Sequence, residues 1–403
     1  MLLPELLRVL THTRPCLQYG QWQVLGVELL AAAQRLRTSL VSLGVSSGER
    51  VAFILPNHPA LPVVWLATLS LRGVAVPLHP GLTPVELETF IRAARPKVLV
   101  GLAPFMRSAR DVCVRLGVEA PRLLRLESEV LDESLHRIQR EHHARLLDLD
   151  RVLALGLEDE GVHPLFGVSS EGVSSEGVSS EGVSSEEVER LETFPVQVDT
   201  PAVLLFTSGT TGAPKGAVLS HGNLGSNGTA IARDWFGGLG WEREGVGPKV
   251  LAVLPLCHNF GLNVTLDATW LAGGVSVILP RFSAVEVARA MGQAEVAVLS
   301  LVPTMTQALL PRLEAEPRLV RSLRLLVSGG AALPGVLRER VKGLWPWVEL
   351  RDTYGLTETS LLATTGPGRA HPGSVGGPIE HTELRIVSER GGLCEVGEVG
   401  EVQ

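Results

Sequence analysis

Two rhythms of apolar residues alternate along this chain, one with the spacing of a helix face and one compressed into short unbroken runs. Between Trp22 and Leu43 the residues Leu29, Leu36, Leu40 and Leu43, with Ala32 and Ala33 among them, recur at helical spacing, and Gly44 follows as a stop. A helix is expected there. Val51 to Leu55 is a short apolar run closed by Pro56, which predicts a strand, and Asn57 is placed to cap a second helix running to Gly73. Val74 to Leu78 repeats the strand pattern. Thr83-Pro84-Val85-Glu86 then supplies a capping box with proline at the first helical position, and Lys97 to Leu102 reads as a strand again. Beyond residue 200 strands are expected at Ala202 to Phe206, Val250 to Leu254, Val275 to Leu279, Val296 to Leu301 and Leu323 to Val327, with a second capping box at Ser283-Ala284-Val285-Glu286. Strands and helices in alternation predict an α/β fold, in which parallel or mixed sheets are covered by helices on their faces.

The rhythm breaks once. Gly-Val-Ser-Ser-Glu recurs four times from Gly167 to Glu186, a stretch too small, polar and glycine-rich to pack a core. It reads as a linker or surface insertion, and its paired serines leave a second reading, a docking or phosphorylation segment. Single cores usually stop growing near ~250 to 300 residues, and this chain has 403. The break suggests a division into a first α/β subdomain over 1–165, the repeat over 166–187, a second α/β subdomain over 188–347 and a closing segment over 348–403.

Composition narrows the function classes more than the fold. Thirty-six basic against forty-three acidic residues give a net charge of −7, which argues against a nucleic-acid surface. Cys16, Cys113, Cys257 and Cys394 are scattered with no C-x-x-C pair, so neither a disulfide framework nor a zinc site is written here, and a reducing cytoplasm is expected. The N-terminus has no basic region leading into a long apolar core. The longest apolar run, Leu61 to Leu71, stops at Arg72, short of the ~20 residues that span a bilayer. A soluble protein is expected.

The chemistry concentrates where the expected strand Ala202 to Phe206 runs into Thr207-Ser208-Gly209-Thr210-Thr211-Gly212-Ala213-Pro214-Lys215-Gly216. Glycines let backbone N–H groups approach phosphate oxygens, while hydroxyls and an ammonium add donors and charge. Pro214 precedes and Gly216 follows Lys215, which is not the glycine-lysine-serine/threonine order of the common NTPase loop.

This run resembles the phosphate-binding signature of the adenylate-forming superfamily, which includes acyl-CoA synthetases, luciferases and peptide-synthetase adenylation domains. Further segments match the family in its usual order: Leu254-Pro255-Leu256-Cys257-His258-Asn259-Phe260-Gly261-Leu262, Ser328-Gly329-Gly330-Ala331, Asp352-Thr353-Tyr354-Gly355-Leu356-Thr357-Glu358-Thr359 and Gly373-Ser374-Val375-Gly376-Gly377-Pro378. The resemblance implies a nucleotide site made of Thr207, Ser208, Gly209, Thr210, Thr211, Gly212, Lys215, Gly329, Gly330, Ala331, Asp352, Thr353, Tyr354, Gly355 and Thr357. An aromatic ring such as Tyr354 can stack on adenine, and a carboxylate such as Glu358 is a hard ligand suited to Mg2+. Thr207 is the second expected metal ligand. The acyl group is expected beside His258, Gly329 and Gly376, and Lys215, Thr357, Glu358 and His258 are the expected catalytic residues. His258 keeps two readings, a substrate-pocket group and a hydrogen-bonded packing residue.

The reaction implied is attack of a carboxylate on the α-phosphorus of ATP, with release of pyrophosphate, followed by transfer of the acyl group to coenzyme A. Mg2+ is the expected cofactor and ATP, coenzyme A and a carboxylic acid are the expected substrates. Pro77-Leu78-His79-Pro80 and the His258 segment resemble acyl-CoA synthetases, most closely the N-terminal domain of a fatty acyl-CoA synthetase. The low aromatic content of 4% speaks against an aryl pocket built by stacking. The resemblance also implies that the final residues begin a β-barrel-like subdomain. The small C-terminal lid domain would lie beyond Gln403 or on a separate chain, and without it weak ATP binding and poor catalysis are expected. Two alternatives stay open: an acyl-AMP ligase that delivers to a carrier protein, and a non-catalytic nucleotide-binding pseudoenzyme. A homodimer is the default assembly.

Overall fold

Every residue of the helix Ala60–Ser70 is buried, as befits a helix that is apolar all round and therefore has no face to offer water. It lies at the centre of the computed structural model, which describes residues 2–117, 120–127, 145–146, 154–156, 196–207, 215–239, 247–366 and 373–403. The Gly-Val-Ser-Ser-Glu repeat and Ser208, Gly209, Thr210, Thr211 and Gly212 of the phosphate signature lie outside the described residues.

Two sheets flank that helix. The larger has ten strands in the spatial order Gly377–Pro378, Thr364–Thr365, Glu349–Tyr354, Leu325–Ser328, Val298–Leu301, Lys249–Ala252, Val275–Ile278, Pro15–Tyr19, Trp22–Leu25 and Arg145–Leu146. The other has seven, in the order Lys215–Ser220, Pro201–Thr207, Val74–Leu78, Arg50–Ile54, Val98–Leu102, Arg122–Glu127 and Ala154–Gly156. Central pairs are parallel and most antiparallel pairs lie towards the edges, among them Lys215–Ser220 on Pro201–Thr207. Neither sheet comes from one stretch of chain. Pro15–Tyr19 pairs with Val275–Ile278, with Leu17 opposite Ser276, and Pro201–Thr207 lies beside Val74–Leu78, with Val203 opposite Ala75.

Helices Leu2–Leu10, Gly26–Ser42 and Ala60–Ser70 share one core with both sheets, joining Leu17, Ala252 and Ile278 of the larger to Phe53, Val100 and Val203 of the smaller. Helices Ala284–Ala294, Pro303–Ala315 and Gly335–Leu344 cover the outer face of the larger sheet, and Pro84–Ala94 with Ala103–Leu116 cover that of the smaller. The order of layers is helix, sheet, helix, sheet, helix. No helix among the described residues is long and apolar enough to cross a membrane. All four cysteines are free.

Local details depart from the sequence reading in three places. Trp22–Leu25 is a strand folded back on Pro15–Tyr19, and the helix starts only at Gly26. The reason is the hairpin: Gly20, with φ of 59°, turns the chain back so that Trp22 pairs with Tyr19, and a Cβ at Gly26 would lie 2.2 Å from the Leu10 carbonyl oxygen, so only glycine fits where the helix begins. Asn57 does not cap Ala60–Ser70; the His58 Nδ1 accepts from the Ala60 N–H instead, at 3.1 Å. Ser283 caps Ala284–Ala294 through the Glu286 N–H at 3.5 Å, but the Glu286 carboxylate bonds Arg289 and does not close the box. At Thr83 both halves of the box form.

Two core histidines make the fold acid-labile. Burial pushes the pKa of His58 and of His221 down to about 4, and neither ring nitrogen of His221 has a partner among the described residues. The unfolded chain binds these protons near pH 6.5 and the folded one does not, so stability is fully present above 6.5 and falls as pH drops towards 4. About 1.4 kcal/mol per pH unit per histidine is expected. Urea titrations at pH 7 and pH 4.5 should show that loss, and His221→Leu should remove about half of the slope.

Candidate nucleotide site

Among the described residues, Thr207, Gly329, Gly330, Ala331 and the residues from Asp352 to Thr357 lie where the strands Pro201–Thr207, Leu325–Ser328 and Glu349–Tyr354 end. This is where α/β sheets usually open a crevice for ligands. Strand Leu325–Ser328 runs into Gly329-Gly330-Ala331, and the neighbouring strand Glu349–Tyr354 brings Asp352 into register with Ser328. The Thr353 hydroxyl donates to the Ser328 carbonyl at 3.2 Å and ties the two strand ends together. A side chain at Gly329 would begin 2.9 Å from both the Phe260 ring and the Thr353 hydroxyl oxygen, so glycine is what allows Phe260 to pack there. Gly330 and Ala331 are exposed beyond it.

After Tyr354, which is 37% exposed, the chain turns sharply. A Cβ at Gly355 would fall 1.7 Å from the Leu361 carbonyl oxygen, a distance no rearrangement of side chains can relieve. Gly355→Ala should therefore displace the Thr357–Thr359 turn and abolish nucleotide binding while the sheets stay folded. Isothermal titration with Mg·ATP, beside circular dichroism, checks this. The turn presents Glu358 exposed and Thr357 half-buried, and it lies beside strand Lys215–Ser220. Lys215 stands directly opposite Thr207, whose hydroxyl reaches the Lys215 carbonyl at 3.4 Å. Neither the Lys215 ammonium nor the Glu358 carboxylate has a partner among the described residues. Two opposite charges thus face solvent on adjoining elements.

Asp352 sits differently from the other expected nucleotide residues. Its carboxylate is buried and accepts from Arg338 at 2.9 Å, Arg338 being on the helix that follows Gly329-Gly330-Ala331. Burial raises the Asp352 pKa, while Arg338 opposes the rise. Gly376 lies over the Thr364–Thr365 strand, and its neighbour Gly377 pairs with Thr365, which places the segment next to Thr353.

His258 is exposed, and its ring stacks on His79, with centroids 6.3 Å apart and planes inclined by 29°. The protein around the ring and, second, His79 hold the His258 pKa below the ordinary imidazole value. Since His79 immediately follows strand Val74–Leu78 of the smaller sheet, this contact brings segments that leave the two sheets together at the site. Asn57 makes a second bridge: its amide donates to the Ala252 and Leu254 carbonyls at 3.3 and 2.9 Å and accepts from the Leu256 N–H at 2.8 Å. These bonds end the strand at Ala252 and shape the turn that carries His258.

Asn57 was marked only as a helix cap; Arg338 was not marked by sequence patterning, and neither were Asn227 and Asn263, whose side chains bond the backbone just after Glu358. Only Asn263 gave a signal, an amide inside the apolar run Phe260-Gly261-Leu262-Asn263-Val264; Asn227 and Arg338 stand among other polar residues.

Comparison with solved structures defines the class of fold. The whole chain superimposes on 87% of a putative long-chain-fatty-acid CoA ligase from Rhodopseudomonas palustris CGA009, with a TM-score of 0.75 and 22% identity. It also superimposes on 70% of apo MatB from Rhodopseudomonas palustris, with a TM-score of 0.74 and 23% identity. The fold is the large N-terminal domain of adenylate-forming enzymes. Residues 11–403 match the AMP-binding enzyme family, and the chain belongs to it. It is 27% identical over 383 residues to a long-chain-fatty-acid–CoA ligase of Bacillus subtilis (strain 168), covering 93% of this chain and 63% of that protein. A mitochondrial malonate–CoA ligase of Mus musculus is 29% identical over 377 residues, covering 90% of this chain and 54% of its own length. The chain thus spans between half and two thirds of the length of these curated relatives.

Proposed function

We propose that this chain carries the carboxylate-activating site of an AMP-forming acid–thiol ligase, which makes an acyl-adenylate from ATP and a medium- or long-chain fatty acid and passes the acyl group to coenzyme A. The observation that carries the reading is the pair of unpartnered charges, Lys215 and Glu358, on adjoining elements at the carboxyl ends of the strands. Adenylation brings two anions together, so its barrier is largely electrostatic. Lys215 would offset charge on the phosphates as the carboxylate oxygen bonds the α-phosphorus and pyrophosphate departs. Tyr354 would lie against adenine, and the Thr357 hydroxyl would donate to the α-phosphate. Gly329 and Gly376 would leave room for the acyl carbonyl, with His258 beside it.

Glu358 and Thr207 would hold Mg2+ through their side-chain oxygens. A single exposed carboxylate suits an ion that keeps its waters and rides on phosphate oxygens, and no cluster of three acidic, histidine or cysteine side chains exists among the described residues. When bound, the ion would neutralise phosphate charge. The subdomain boundaries at 166–187 and 348, a homodimer, completion by a C-terminal domain and a cytoplasmic location, supported by the four free cysteines, belong to the same proposal.

ATP–pyrophosphate exchange with a panel of fatty, aryl and dicarboxylic acids tests it. Exchange stimulated best by a fatty acid is expected. Stimulation only by an aryl or dicarboxylic acid would replace the substrate class, and none with any acid, even after a C-terminal domain is supplied, would overturn the enzyme reading. Transfer to a carrier protein in place of coenzyme A would overturn the acceptor.

A further inference from the structure

The turn bearing Thr357 and Glu358 is followed by two residues in left-handed conformations, Ser360 with φ of 60° and Leu361 with φ of 105°. Residues with side chains rarely adopt such angles, and they persist only where the surroundings over-determine them. Two buried asparagines do so here. Asn227, on helix His221–Ile231, donates to the Leu362 carbonyl at 3.0 Å and the Thr359 carbonyl at 3.4 Å, and its Oδ1 accepts from the Leu362 N–H at 3.4 Å. Asn263 donates to the Ser360 carbonyl at 3.3 Å and to Asn227 Oδ1 at 3.5 Å. The two side chains hold backbone groups of Thr359, Ser360 and Leu362, on both sides of the left-handed Leu361.

Their positions in the chain matter as much as their bonds. Helix His221–Ile231 follows directly on strand Lys215–Ser220. Asn263 lies on the π-helix Phe260–Ala268, which starts two residues after His258. Widened helical turns of this kind recur at functional sites. The amide pair therefore joins the helix that follows the Lys215 strand and the π-helix that follows His258 to the turn that carries Glu358.

We propose that Asn227 and Asn263 form a clamp that holds the strained Ser360–Leu361 segment and thereby positions Thr357 and Glu358 relative to Lys215 and His258. Both are positioning residues; neither touches substrate in this scheme. The clamp is a property of the fold, and its effect on turnover rests on the adenylation reading above.

The test uses Asn227→Ala and Asn263→Ala, each alone and combined with Ser360→Gly, because glycine adopts the left-handed conformation without strain. Hydrogen–deuterium exchange over residues 355–362 reads the clamp without activity. It should quicken at least roughly tenfold in each asparagine variant while the strand Leu325–Ser328 stays protected. Pyrophosphate exchange reads the positioning: kcat should fall by roughly 10²-fold with the KM for the acid little changed, and Ser360→Gly should restore part of it. Unaltered exchange over 355–362 overturns the clamp. Faster exchange there with full turnover, or a loss of turnover that only follows the loss of folded protein and that Ser360→Gly does not relieve, overturns the positioning role. A wild-type chain with no acid-dependent turnover even after a C-terminal domain is supplied overturns the adenylation reading instead, and the hydrogen-exchange result still decides the clamp.

Discussion

Lys215→Ala and Glu358→Ala should each lower acid-dependent ATP–pyrophosphate exchange by roughly 10²- to 10³-fold, the usual cost of losing one preorganised electrostatic group at a site of developing charge. Both side chains are exposed and unpartnered among the described residues, so their removal takes away no packing and no internal bond. Melting temperatures should consequently stay within the small range typical of surface substitutions. Glu358→Gln sharpens the comparison, because it keeps the shape and removes the charge and should be nearly as inactive as Glu358→Ala. The two variants should differ in their metal response: raising Mg2+ should partly rescue Glu358→Gln and leave Lys215→Ala unchanged. Exchange at the wild-type rate in either variant would remove that residue from the mechanism.

Asp267→Asn should stabilise the protein, and by more as pH rises. Asp267 is fully buried, and its Oδ1 accepts from the Trp65 indole N–H at 3.0 Å while Oδ2 has no partner among the described residues. Burial pushes its pKa from 3.8 up to about 8, against the smaller opposing effect of the Trp65 bond. The unfolded carboxyl ionises near pH 4 and the folded one only near pH 8. Stability from this group is thus fully present below about pH 4 and is lost progressively between 4 and 8. Over that window the penalty grows by about 1.4 kcal/mol per pH unit, to an upper value of about 6 kcal/mol. Asparagine keeps the acceptor for Trp65 and never ionises. Chemical unfolding at pH 5 and pH 8 should show a small gain at the first and several kcal/mol at the second. An equal gain at both would mean that Asp267 is ionised throughout or that the effect is one of packing.

With the histidine effect described above, the stability optimum should fall between about pH 5 and 7. His58 and His221 weaken the fold on the acid side and Asp267 on the alkaline side.

Much of the architecture could be read from the chain because strand and helix leave different rhythms. The runs at Val74–Leu78 and Val98–Leu102 and the capping box at Thr83 are local features, set by neighbours a few residues away. Trp22–Leu25 was misread because its partner, Pro15–Tyr19, folds back on it in a tight hairpin with Tyr19 opposite Trp22, a pairing that a search for helical spacing does not register. The chemistry of Lys215, Tyr354 and Glu358 was visible in their motifs. What organises them was not, since Asn57, Asn227, Asn263 and Arg338 act on backbone or side chains between 14 and 199 positions away. A buried amide announces its presence in a sequence but not its partner.

The pairing of Pro15–Tyr19 with Val275–Ile278 has a consequence for the newborn chain. A ribosome adding about 5 to 20 residues per second needs roughly 13 to 50 seconds to make the ~260 residues between Leu17 and its neighbour Ser276. Through that interval the edge of Pro15–Tyr19 that Val275–Ile278 will cover has no mate, and a chaperone or a transient wrong partner must cover it. Cells short of such help should accumulate this protein as aggregate, however stable the finished molecule is.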